Sequence, residues 1–96
     1  MIDVKNILTN LNEILESVDD NFINSTIRDI NRVLLEGDDE TGNEELDSYL
    51  MILGSELDLY VSDPVMRSEN RFYYGTEELK KKVKVAIDGI RKYVTN

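Results

Sequence analysis

The sequence predicts an all-α protein, a single antiparallel bundle of about four helices. Apolar residues recur at i, i+3, i+4 and i+7 in four separate stretches, the spacing that lines one side of an α-helix. Each stretch is bounded by residues that start or stop helices. No alternating strand run of useful length, Gly-rich phosphate loop or internal repeat lies between them. With 96 residues and short links, one domain spanning 1–96 with a modest core is expected.

The first helix is expected over 3–18. Val4, Ile7, Leu8, Leu11, Ile14, Leu15 and Val18 form its stripe, and Asp3 can cap it. Asp19-Asp20-Asn21 breaks it, because these side chains hydrogen-bond nearby backbone and favour turns and caps. The second helix is expected over 21–36. Ile23, Ile27, Ile30 and Leu34 set its period, and Phe22 and Val33 widen the face. Arg28 and Arg32 share a surface with Asp29 and Glu36, and Gly37 is placed to end the helix in left-handed geometry.

Asp38-Asp39-Glu40-Thr41-Gly42 reads as a loop. An EF-hand loop needs Gly at its sixth position and oxygen ligands at its first and twelfth. Placing Gly42 sixth puts Gly37 and Ser48 at the ligand positions, so the calcium reading fails.

The third stretch, 43–62, carries the clearest pattern. Leu46, Tyr49, Leu50, Leu53, Leu57, Tyr60 and Val61 line one side; Asp47, Ser48, Ser55, Asp58 and Ser62 face the other way. Thr41-Gly42-Asn43-Glu44 reads as a capping box, with Glu44, Glu45 and Asp47 expected near the positive end of the helix dipole. Asp63-Pro64 marks the stop, since Pro64 disfavours helical geometry at the residue before it.

Residues 64–75 have a polar middle and an aromatic end. Phe72-Tyr73-Tyr74 reads as a brief extended segment whose rings either plug the end of the bundle or offer a tyrosine to a partner. The last helix is expected over 77–94, capped by Thr76, with Glu77 and Glu78 in its first turn and its bases further on, in the order the dipole prefers. Leu79, Val83, Ala86, Ile87, Ile90, Tyr93 and Val94 form its stripe. Lys80-Lys81-Lys82 reads as a solvated face drawn to neighbouring acids rather than as a nucleic-acid site.

Twenty acids against eleven bases, with no His, give a formal charge of −9. Nine of those acids lie between Gly37 and Asp63, a segment with no Lys or Arg; the remaining eleven are matched by the eleven bases elsewhere. This balance opposes binding of bare nucleic acid, whose phosphates would be repelled, and favours a basic protein partner. The absence of His and Cys closes zinc-hydrolase, thiol-protease and Ser-His-Asp readings. Carboxylates alone could hold Mg²⁺, but no helix carries an E-x-x-H-like metal pair. A non-enzyme without metal or cofactor is therefore expected. No apolar run reaches the roughly 20 residues of a membrane span, and the N-terminus lacks a basic-then-apolar signal, so a cytoplasmic protein is expected.

One further pattern runs from about 46 to 90. A long apolar and acidic helix ends in Glu56-Leu57-Asp58-Leu59-Tyr60 and is followed by Asp63-Pro64-Val65-Met66-Arg67. Then come Phe72-Tyr73-Tyr74 and a last helix opened by Glu78-Leu79 and continued by Val83, Ile87 and Ile90. This half of the chain resembles the immunity proteins of colicin D type, helical inhibitors that protect bacteria from their own ribonuclease toxins. The first 40 residues match only as helices of suitable length, and the acidic loop at 38–42 departs from the family's pattern. The resemblance implies binding in a toxin's basic active-site cleft, with carboxylates standing where RNA or tRNA phosphates would lie. Glu56, Asp58, Asp63 and Glu69 match the family's acidic segment; Asp47 is added because it shares a helix face with Asp58. Two other functions fit the same residues: a phage-type nucleic-acid mimic that blocks a host defence or DNA-binding protein, and a helical adaptor that binds through a hydrophobic groove.

Overall fold

The computed structural model of the protein describes residues 2–37 and 40–94. They form the helices α1 (Val4–Glu16), α2 (Asp20–Leu34), α3 (Glu44–Leu57), α4 (Pro64–Arg67) and α5 (Thr76–Val94), with no strand among the described residues. The first four helices each begin at a side chain that accepts from otherwise unpaired backbone donors, a contribution of about 1 kcal/mol each. Asp3 takes the N–H of Asn6, Asp19 those of Asn21 and Phe22, Asn43 those of Glu45 and Leu46, and Asp63 that of Val65.

The four long helices close into a ring in which α1 packs on α2 and α5, and α3 also packs on α2 and α5. Their apolar stripes meet inside it. Leu11, Ile14, Ile27, Ile30, Leu50, Leu53, Leu57, Val83, Ile87 and Ile90 are all buried there, as their spacing demands. Among the described residues no helix is long and apolar enough to cross a membrane.

Several local expectations are corrected. The first helix stops at Glu16, where Ser17 turns extended and its N–H reaches back to the Glu13 carbonyl. Val18, expected in the stripe, is consequently 92% exposed. Gly37 does not end α2 in left-handed geometry. The helix ends at Leu34, Leu35 stays right-handed, and Gly42 (φ 93°) is the residue with positive φ among those described. Gly37 serves a different need, since a Cβ there would lie 2.8 Å from the Val33 carbonyl oxygen. The cap of α3 is Asn43; Thr41 turns to Asp47 instead. Asp38 and Asp39 of the expected acidic loop lie outside the described residues.

The largest difference is at the end of α3, which stops at Leu57 rather than near 62. The N–H groups of Leu59 and Tyr60 take tight bonds to the carbonyls of Glu56 and Leu57, both at 3.1 Å. Beyond them Tyr60 pairs with Tyr74 in an isolated parallel bridge. The Val61 N–H donates to the Tyr74 carbonyl at 3.0 Å, and the Tyr74 N–H to that of Leu59 at 3.1 Å. Those donors cannot also serve a helix, so the tertiary pairing ends α3 early. Pro64 then opens a helix instead of stopping one, as a residue without N–H suits the first helical position. The aromatic segment divides accordingly: Tyr74 is buried at the bridge, while Phe72 is 60% exposed. Thr76 falls within the first turn of α5, its hydroxyl 3.1 Å from that of Tyr60.

Candidate functional site

Of the five expected site residues, Asp47 and Glu56 lie in α3, Asp58 caps its end, and Asp63 and Glu69 lie beyond it. Successive helical residues turn by about 100°, so Glu56 and Asp58 point some 160° apart and cannot share a face. Glu56 lines a groove of about 450 Å³ between α3 and α5, together with Tyr49, Ile52, Glu78, Lys81, Lys82 and Val85. Asp58 lines a separate groove of about 280 Å³ between α2 and the end of α3, with Arg28, Asn31, Glu36 and Tyr60.

Asp58 is held there by the amide of Asn31, whose Nδ2 donates to its carboxylate at 2.5 Å. Asn31 is buried, and its Oδ1, which has no partner, lies against α3 where Gly54 leaves space; a Cβ at 54 would sit 3.1 Å away. Asp47 lies on the same side of α3 as Asp58, but eleven residues away, or about 16 Å along the axis. It is half-buried, and its Oδ1 accepts from the backbone N–H of Thr41 at 2.8 Å and from the Thr41 hydroxyl at 2.7 Å. Asp47 therefore braces the entry to α3. Asp63 is exposed and spends one oxygen on capping α4. Glu69 sits exposed on the turn after α4.

Two tyrosines frame the end of α3, Tyr60 from the expected helix stripe and Tyr74 from the expected aromatic segment, both buried. Tyr60, buried, donates its hydroxyl to Asp20 at 3.2 Å and shares a bond with Thr76 at 3.1 Å, tying the starts of α2 and α5 together. Tyr74 donates to the backbone carbonyl of Glu56 at 2.6 Å, joining the Leu59 N–H on one of the last acceptors of α3. Burial pushes the Tyr74 hydroxyl well above its ordinary value of 10.0, and the charges of Glu56, Glu78 and Asp58 push it further. The acids of α3 and the first turn of α5 thus converge electrostatically on one ring. The Lys82 ammonium lies 5.4 Å from the centre of that ring. Burial, then the Glu56 charge, also raises Tyr49; burial is the first cause at Tyr60. The one cue to this frame in the sequence was the extended reading of Phe72-Tyr73-Tyr74.

Glu56 and Glu69 form no hydrogen bond or ion pair with the described residues through their carboxylates, and both side chains are exposed to solvent. The arrangement offers acceptors and negative charge, the chemistry that receives Lys and Arg side chains. Among the described residues no three His, Cys, Asp or Glu side chains come together as a metal-holding group. Compared with family models, curated proteins and solved structures, the chain matches none.

Proposed function

We propose that the protein binds and inhibits a basic bacterial toxin, a ribonuclease acting on RNA or tRNA, as an immunity protein of colicin D type working in the cytoplasm of the toxin's producer. In this reading the four long helices are an antiparallel bundle, and the protein blocks chemistry rather than performing any. Glu56, Asp58, Asp63 and Glu69 stand in for the phosphates of the substrate. The observation that carries it is the concentration of charge at the end of α3: Glu56, Asp58 and Glu78 together bias the Tyr74 hydroxyl, and the carboxylates of Glu56 and Glu69 are exposed with no hydrogen-bond or ion-pair partner among the described residues. Unpaired carboxylates on elements pinned by a backbone bridge are suited to steering a basic cleft and fixing its orientation.

The test begins with co-expression of the protein with the reading frames of its own operon and isolation of the complex. Charge reversal then separates the roles of the acids. Asp58→Lys and Asp63→Lys disturb the Asn31 contact and the α4 cap as well as any interface, so the informative variant is Glu56→Lys with Glu69→Lys. Affinity for the nuclease should fall by roughly a hundredfold or more, as like charges meet in the cleft. Association should slow with rising salt, since steering is screened beyond about 8–10 Å. Glu13→Lys with Glu16→Lys on α1 is the control and should leave affinity unchanged. Recovery of no nuclease, or undiminished and salt-independent affinity in the double variant, would overturn the proposal.

A further inference from the structure

We propose that the groove between α3 and α5 is a self-association surface whose occupant is a second copy of this chain. Ile52 and Val85 line the same groove from opposite helices, yet they are 61% and 68% exposed. Tyr49 lies in its floor only because position 89 is glycine; a Cβ there would collide with the tyrosine hydroxyl. Branched side chains facing each other across an open groove of about 450 Å³ form an apolar patch that gains by being covered.

Charge selects the occupant. Two copies of a chain of formal charge −9 repel each other over most of their surfaces. At this groove the local balance is different, because Glu56 and Glu78 are offset by Lys81 and Lys82 along the same walls. The α3 wall carries the acid Glu56, while the α5 wall carries Glu78 with the two lysines and so keeps a net positive charge. Turning a second copy by a half-turn about an axis along the groove lays α3 of each copy over α5 of the other. Glu56 and the lysines line one cavity, so this pairing brings each acid to the wall that carries the other copy's bases. The surface is complementary to itself, as a two-fold interface requires. A nucleic acid would meet the glutamates, and a basic helix would meet the lysines.

The experiment needs no toxin, so its outcome is independent of the inhibitor reading. Sedimentation velocity of the full chain from micromolar to millimolar concentration should show a monomer–dimer equilibrium. Ile52→Asp, at an exposed position, should raise the dimer Kd roughly tenfold or more while circular dichroism stays unchanged. Glu56→Lys alone, and Lys81→Glu with Lys82→Glu alone, should each weaken the dimer. Mixing these two variants should restore it, because both rims then pair with opposite charge. A wild-type chain monomeric throughout, an Ile52→Asp variant that dimerises as the wild type does, or a mixture no tighter than its components overturns the proposal. Glu69→Lys, which lies off this groove, should leave dimerisation untouched and affect only toxin binding.

Discussion

The Tyr74 hydroxyl donates to the Glu56 backbone carbonyl at 2.6 Å, so a residue from the segment before α5 closes the last turn of α3. Removing that donor leaves the Glu56 carbonyl with the Leu59 N–H alone. Tyr74→Phe keeps the ring and its burial but should cost about 0.5–1.5 kcal/mol, the net value of one hydrogen bond. For a domain of this size that lowers Tm by about 4–8 °C per kcal/mol. A Tyr74→Phe variant that melts with the wild type would show that the Leu59 N–H serves the carbonyl equally well by itself.

The raised tyrosines give stability a dependence on alkaline pH. Burial raises the hydroxyls of Tyr74, Tyr49 and Tyr60 above their ordinary value of 10.0, so folding favours the neutral form of each. Below pH 10 both folded and unfolded chains keep these protons, and the contribution is fully present. Above it the unfolded chain ionises while the folded one resists, so stability falls as pH rises towards the folded values. Urea midpoints measured at rising pH should hold steady up to about pH 9 and then decline. Tyr74→Phe should make the decline shallower, and tyrosinate absorbance should appear as the chain unfolds.

Burial separates two residues that the sequence placed in equivalent stripes. Leu53 is 3% exposed between α3 and its neighbours, and Leu53→Ala should cost on the order of 2–5 kcal/mol. Val18, 92% exposed, should tolerate Val18→Ala within about 0.5 kcal/mol. Thermal melts of the two variants compare them directly; equal losses would contradict the described packing.

The acids of the site should differ in stability as well as in binding. Asp58→Ala strands the amide of the buried Asn31, and should cost about 1–3 kcal/mol. Glu69→Ala removes a side chain with no described partner and should lie within about 0.5 kcal/mol of wild type. Chemical denaturation of the two proteins checks this. A neutral Asp58→Ala would mean that water replaces the carboxylate beside Asn31.

The sequence by itself determined what is local. Helix periodicity placed ten core residues from Leu11 to Ile90 inside the protein, because a 3.6-residue repeat allows an amphipathic segment one way to hide its apolar side. Asp3 caps its helix through a bond spanning three residues, within reach of any sequence pattern. Tertiary structure decided what depends on distant partners. The end of α3 is set by the pairing of Tyr60 with Tyr74, the place of Asp58 by Asn31, 27 residues earlier, and the seat of Tyr60 by Asp20, 40 residues earlier. Helix phase puts Glu56 and Asp58 on opposite sides of α3, and the packed neighbours give each its own groove. Charge counted along a chain says how many carboxylates a segment holds. Which groove each one faces depends on helix phase and on the helices packed beside it, and only the folded chain brings those together.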